Sequence, residues 1–159
     1  MVRTGEIAQN VDHANIFLNV VPQLRALDIQ FVSLQDGKAT IKLPYADKLI
    51  GFPETGVLAG GAIYTLMDSV AGISVFSALG QFVPMATLDL RIDYLKPAVP
   101  GEDVYGEARC YKLTRKVAFV RGRAHHGDPE RPIAHISGTF FVDRPDTAKA
   151  SPKTAKPDV

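Results

Sequence analysis

The sequence is short of several things, and each shortage excludes a class of protein. One cysteine, Cys110, stands in 159 residues, so no disulfide can form within the chain and no cysteine cluster can hold a metal. Neither charge sign is in excess: 18 Lys and Arg face 17 Asp and Glu. That balance argues against a dedicated nucleic-acid binder, which carries a broad basic surface. No apolar core follows Arg3, because Glu6, Asn10, Asp12 and His13 interrupt the stretch, and a secretory signal is not expected. The longest apolar run, around 57–79, contains Asp68 together with glycines and hydroxyl residues. Such a run suits a buried helix better than a membrane span. There is no Gly-x-Ser-x-Gly elbow, phosphate-cradling loop or dinucleotide glycine motif. The expected setting is the cytoplasm, with neither membrane nor nucleic acid as partner.

What remains is enough for one ordinary domain. Hydrophobic residues make up 46% and charged residues 22% of the chain, close to the composition of a globular fold with a real core. Residues 1–14 are polar and without periodicity, and read as a loose lead-in. Residues 15–143 read as a single domain without internal repeats. Residues 144–159, rich in Pro, Lys, Thr, Ala and Asp, lack the apolar groups that would order them and read as a polar tail.

Within the domain, 15–27 suits a short helix or pair of turns broken by Pro22. Strand patterns at 28–34 and 38–43 flank Gln35-Asp36-Gly37, where Asp-Gly is a strong hairpin signal. Residues 44–55, with Gly51 and Pro53, read as a loop. Residues 60–79 form a long apolar helix that Gly80 can close. Four strand-like runs follow, at 82–95, 104–113, 117–126 and 133–142, separated by turn residues. A helix that is apolar nearly all round must be enclosed. The fold class is therefore α+β: a curved antiparallel β-sheet wrapped around one long central helix.

That helix carries the most informative residue. Asp68 is the only Asp, Glu, Lys, Arg or His between Glu54 and Asp89. A carboxylate with apolar neighbours costs several kcal/mol to desolvate unless it is paired. The plain reading puts Asp68 on a narrow exposed stripe, or hydrogen-bonds it to Thr65 or Ser69. The functional reading makes it a general base or nucleophile. At the helix start, Gly56-Val57-Leu58-Ala59-Gly60-Gly61 brings two glycines to the end where backbone N–H groups lack intrahelical partners. Such groups can approach a ligand carbonyl and stabilise an oxyanion; small residues for helix–strand packing are the bland alternative.

The run from Gly56 through Gly60, Gly61, Tyr64, Met67 and Asp68 to Gly72 resembles the helix signature of PaaI-type hotdog thioesterases. There the pattern is Gly-x-x-His-Gly-Gly, an apolar stretch and an acid. The likeness continues through 86–98 and 101–109 and reaches back to Asp36-Gly37. The resemblance implies a hotdog fold and an acyl-CoA thioesterase that hydrolyses a small or medium acyl- or aryl-CoA to free acid and coenzyme A. It implies Asp68 as catalytic acid, the Gly60 amide as oxyanion donor and Thr87 as an assisting hydroxyl. It needs no cofactor, coenzyme A being part of the substrate. Two positions depart from the family pattern: its His is Ala59, and its polar Asn or Gln falls near Pro53, beside Glu54 and Thr55.

Helix geometry adds an inference of its own. Gly60 and Asp68 are eight residues apart, about 12 Å along the axis at 1.5 Å per residue. One carbonyl cannot meet both from one helix, whereas two antiparallel copies can supply one each. A homodimer with shared sites is expected, and the resemblance adds pairing of dimers into homotetramers.

Val57, Leu58, Tyr64, Met67 and Phe82, with Gly61, suggest a mixed aliphatic and aromatic substrate pocket. Arg115 and Lys116, with Lys112 nearby, form a basic turn suited to coenzyme A phosphates or simply solvated. His125 and His126 alternate across a strand and His135 is isolated, so no metal site is expected. Two other readings stand beside hydrolysis. Ala59 and Pro53 suit a non-catalytic acyl-CoA-binding or regulatory protein, and a hydratase or dehydratase would want a His at the helix entry.

Overall fold

In the computed structural model of the chain, residues 12, 14–81 and 83–144 are described. The expectations for the first eleven residues, the tail from 145 onward and Phe82 lie outside them.

The amino-terminal part is an angled pair of short helices. Helix α1 covers residues 14–20 and α2 spans Pro22–Ala26, with Pro22 in its first turn, where a missing N–H costs nothing. Helical backbone reaches back to Asp12, inside the stretch expected to be a loose lead-in. Ala14 and Leu18 anchor α1 in the core at 1% and 4% exposure.

Strands β1 (Gln30–Gln35) and β2 (Lys38–Leu43) form the expected hairpin. Asp36 and Gly37 both have positive φ, 45° and 75°, the paired left-handed geometry that an Asp-Gly turn provides. The stretch expected to be a loop contains more structure than that. A 3-10 turn at Asp47–Leu49 leads into β3 (Ile50–Phe52), which pairs with β4 (Val57–Leu58) as a separate small hairpin. The Ala59 amide donates to the Leu49 carbonyl at 2.8 Å, so this hairpin fixes where the next helix begins.

Helix α3 runs Gly60–Leu79 and ends at Gly80, whose φ of 65° places it in the left-handed cap position. Four strands follow: β5 (Met85–Tyr94), β6 (Val104–Leu113), β7 (Val117–His125) and β8 (Ala134–Val142). The six long strands form one antiparallel sheet in the order β1-β2-β6-β7-β8-β5. β5 therefore lies at an edge, hydrogen-bonded to β8 alone, and its register slips between Thr87 and Asp89 where Leu88 bulges out.

The sheet's inner face meets α3 through Ile41, Leu43, Val104, Val120, Ile136 and Val142, all at most 4% exposed. On the helix, Leu66, Met67, Val70 and Val75 have no exposure. Each such side chain contributes about 1.5–3 kcal/mol relative to an exposed one. The closest approach is at Gly106, where an added Cβ would lie 3.0 Å from Leu66 Cγ and 3.2 Å from Met67 Sδ. Met67, one of the expected pocket residues, is fully buried against Gly106 in the helix–sheet core.

At the far end of the sheet, His125 is 4% exposed and stacks on Tyr105 at 5.8 Å. Its Nδ1 accepts from the Gly127 amide at 3.0 Å, which puts the proton on Nε2, and Nε2 has no partner among the described residues. Burial lowers the His125 pKa below its ordinary 6.5. The native imidazole therefore stays neutral while the unfolded chain takes up a proton. Native stability should be level above about pH 6.5 and decline as the pH falls from there toward the lower native pKa. Denaturation midpoints measured across this range should fall less steeply in His125→Phe than in the wild type; equal slopes would assign the decline to other groups.

Candidate active site

α3 and β5 together build a site around Asp68. The strand bulge turns Thr87 inward, opposite Phe140 of β8, and the Thr87 hydroxyl donates to Asp68 Oδ1 at 2.9 Å. Neither of the local partners first considered for Asp68 is used. Thr65 Oγ1 donates to the Gly61 carbonyl at 3.0 Å, and Ser69 Oγ to the Thr65 carbonyl at 2.7 Å. Asp68 Oδ2 has no protein partner among the described residues, so one oxygen of a held carboxylate remains available to a ligand or water.

Asp68 borders a cavity of about 600 Å³, within the usual range for small-molecule sites. Asp68, Thr65, Thr87 and Gln23 gather at one part of it, with Gln23 Nε2 3.4 Å from Thr65 Oγ1. The other walls are apolar and include Phe17, Val21, Ile73, Phe76, Val83 and Met85. Tyr64 also borders the cavity, and its hydroxyl donates to the Leu90 carbonyl at 3.0 Å. The wall contributed by α1 and α2 has no counterpart in the sequence reading. A short helix or pair of turns expected at 15–27 does not reveal what it covers.

The helix start is held by a tyrosine that the sequence did not single out. Tyr94 donates to the Gly60 carbonyl at 2.7 Å. Burial, and then the neighbouring Tyr64, raise the Tyr94 pKa above the usual phenol value, which keeps it a donor. Gly60 and Gly61 are exposed, and their amides have no hydrogen-bond partner among the described residues. These amides sit at the positive end of a 20-residue helix.

The remaining expected site residues are spread out. Leu58 is 4% exposed on β4 and Val57 is half-buried beside it; neither borders the Asp68 cavity, because β4 serves the hairpin at the helix entry. Arg115 and Lys116 lie in the β6–β7 turn. Lys116 is engaged by Asp143 Oδ1 at 3.2 Å and the Arg144 carbonyl at 3.1 Å. The Asp143 amide in turn bonds the Pro84 carbonyl at 2.9 Å, which puts this turn at the same sheet end as the cavity wall formed by Pro84 and Met85. Ala59 caps the helix without a side-chain hydrogen bond. Thr55, a polar neighbour of Pro53, spends its hydroxyl on the Phe52 carbonyl at 3.1 Å. Burial pushes the Cys110 thiol above its ordinary pKa, the opposite of an activated nucleophile.

The Thr87–Asp68 contact has a direct test. Thr87→Val keeps the side-chain shape and removes the donor, leaving the carboxylate free to rotate. Activity on any turned-over substrate should fall about tenfold or more, with Thr87→Ser recovering most of it. Equal rates for Val and Ser variants would make the hydroxyl irrelevant.

A family model described as the thioesterase superfamily matches residues 55–133. A Halobacterium salinarum protein provisionally named an esterase is 37% identical over 131 residues, which is 77% of this chain and 85% of that protein. The medium/long-chain acyl-CoA thioesterase YigI of Escherichia coli is 26% identical over 140 residues, covering 80% and 89% of the two chains. Among solved structures, a Pseudomonas aeruginosa protein is 45% identical with a TM-score of 0.77, over 83% of this chain and 98% of that one. The phenylacetic acid degradation protein PaaI of Thermus thermophilus is 25% identical with a TM-score of 0.66, over 76% and 97%. A Streptococcus mutans protein bound to acetyl-CoA is 25% identical with a TM-score of 0.64, over 72% and 88%.

Proposed function

Because the chain belongs to the thioesterase superfamily and has its hotdog fold, as the PaaI relatives do, we propose that it hydrolyses an acyl-CoA thioester to the free acid and coenzyme A. The observation that carries this reading is the Asp68 carboxylate, held by Thr87 at 2.9 Å on the wall of a cavity, with its second oxygen unpartnered among the described residues. As general base, Asp68 takes a proton from a water molecule while the water oxygen bonds to the thioester carbon. The carbonyl electrons move onto oxygen, where the Gly60 amide stabilises the charge. The tetrahedral adduct then collapses, breaking the carbon–sulfur bond, and the departing thiolate takes a proton. As nucleophile, Asp68 forms the new bond itself and water opens the resulting anhydride. The bound acetyl-CoA in the Streptococcus mutans structure supports coenzyme A as the carrier.

The site is shared between two copies of the chain in this proposal. Gly60 and Asp68 sit eight residues apart on α3, about 12 Å along its axis, while attack needs contacts near 3 Å. β5 is an edge strand, and Leu88, Tyr94, Leu95 and Tyr64 are 59%, 49%, 54% and 40% exposed around it. Two β5 edges pairing antiparallel would cover those side chains, continue the sheet and lay the two α3 helices side by side. A monodisperse active monomer in light scattering would overturn the shared site.

Ala59, where the family carries His, favours a second reading: a protein that binds acyl-CoA without turning it over. Thiol release measured across a panel of CoA esters separates the two. Turnover that disappears with Asp68→Ala supports the enzyme. Binding without turnover above the Asp68→Ala level on every ester supports the second reading.

A further inference from the structure

Gly72 lies in the middle of α3, where glycine costs about 1 kcal/mol relative to alanine. Its φ is not positive, so the backbone does not require it. Packing does not require it either: a Cβ there would meet one atom within 4 Å, Phe140 Cε1 at 3.7 Å, an ordinary contact. What a side chain at this position would occupy is the cavity, which Gly72 borders. The residue is one helical turn beyond Asp68 on the same face. Ile73 and Phe76 continue that wall for a further turn, so the apolar part runs about 12 Å along the helix from Asp68 to Phe76. Phe17 and Val21 of α1 and its connection to α2 close it from above, and Val83 and Met85 close it from the strand side.

We propose that Gly72 sets the reach of an acyl-chain pocket, and that the preferred substrate carries a straight, medium-length aliphatic chain. The chain lies along α3 from Asp68 toward Phe76, beneath the amino-terminal helices. The proposal rests on the thioesterase reading for the position of the reacting carbonyl, which Asp68 and Thr87 place at the polar end of the cavity. Its shape and lining disfavour a short acyl group, which leaves the apolar walls unfilled. A compact aryl group meets the same difficulty, filling the width beside Gly72 but not the length to Phe76.

Gly72→Ala and Gly72→Leu provide a graded test, with melting curves confirming that each folds; both residues are better helix formers than glycine. Acetyl-, butyryl-, octanoyl-, dodecanoyl- and phenylacetyl-CoA are compared by kcat/KM. The wild type should prefer octanoyl- and dodecanoyl-CoA over the other three. The ratio of dodecanoyl to butyryl efficiency should fall about tenfold or more in Gly72→Leu, with Gly72→Ala between. A ratio unchanged within twofold, or a wild type that favours acetyl- or phenylacetyl-CoA, overturns the proposal while leaving thioester hydrolysis standing. Calorimetric affinities for the same esters, measured in an Asp68→Ala background, separate the two readings. A chain-length preference in binding that Gly72→Leu abolishes supports the pocket even if the wild type turns nothing over. Affinities independent of chain length overturn it.

Discussion

Asp68→Asn should reduce kcat by about 10²- to 10⁴-fold, the usual contribution of a positioned proton acceptor, with KM changed much less. The substitution is nearly isosteric. The asparagine carbonyl oxygen can still accept the Thr87 hydroxyl that Asp68 Oδ1 accepts at 2.9 Å, so the helix and strand stay as they are. What disappears is the charge and basicity of the second oxygen, on a residue that borders the cavity. Asp68→Ala removes both and should be no more active. Retention of a tenth or more of wild-type turnover in Asp68→Asn would remove Asp68 from the chemistry. Single-turnover reactions in oxygen-labelled water distinguish its two possible roles. Label in the Asp68 carboxylate shows that Asp68 attacks and that water opens the anhydride at the Asp68 carbonyl. Activation of water by Asp68 instead leaves Asp68 unlabelled and puts the label in the product acid.

The second large effect comes from the amino-terminal end of the helix. Gly60→Pro deletes one backbone N–H at the first helical position, where proline is tolerated. The preceding Ala59 already has extended geometry, φ −62° and ψ 134°, which a following proline requires. The ring Cβ would lie 3.2 Å from the Tyr94 hydroxyl, close enough to shift that side chain slightly. Loss of one oxyanion donor should lower kcat about 10²- to 10³-fold. If each site takes Gly60 from one copy and Asp68 from the other, two crippled variants can rescue each other. Mixing Gly60→Pro with Asp68→Asn under conditions that exchange subunits creates hybrid dimers with one intact site and one doubly defective site. Activity should rise well over tenfold above either parent, toward half the wild-type rate per hybrid. Mixed samples that stay at the parental level while mass spectrometry detects hybrids would place both groups in one chain.

The long elements were legible because each carries a strong local signal. β2 and β6 have the expected bounds, and α3 stops at a glycine that is left-handed in the structure. β3 falls within the 44–55 stretch that reads as loop, and β4 just beyond it, because three- and two-residue strands are too short for alternation to register and Pro53 with Gly51 suggests a breaker. Asp68 was legible as a lone charge in an apolar helix. Its surroundings were less so, because the cavity is made by contacts distant in sequence: Gln23 and Phe17 reach it from an amino-terminal segment with no motif. The placement of Met67 in the core was hidden for a similar reason. Helical spacing puts it beside Asp68, but only the sheet opposite, through Gly106, decides which face of the helix is covered.

Thr87 was identified by resemblance alone, since strict alternation along β5 would have pointed it outward with Asp89, Arg91 and Asp93. The bulge at Leu88 changes the parity of the strand. Before it, the odd-numbered Met85 and Thr87 oppose the inward residues Val142 and Phe140; after it, the even-numbered Leu90, Ile92 and Tyr94 oppose Gly138, Ile136 and Ala134. A regular strand can direct only one of these sets toward the helix. It could hold the Asp68 carboxylate through Thr87, or secure the helix entry through Tyr94, but not both. One extra residue lets a single edge strand reach both the start of α3 and Asp68 eight residues further along, and so keeps the acid and the Gly60 amide in fixed phase.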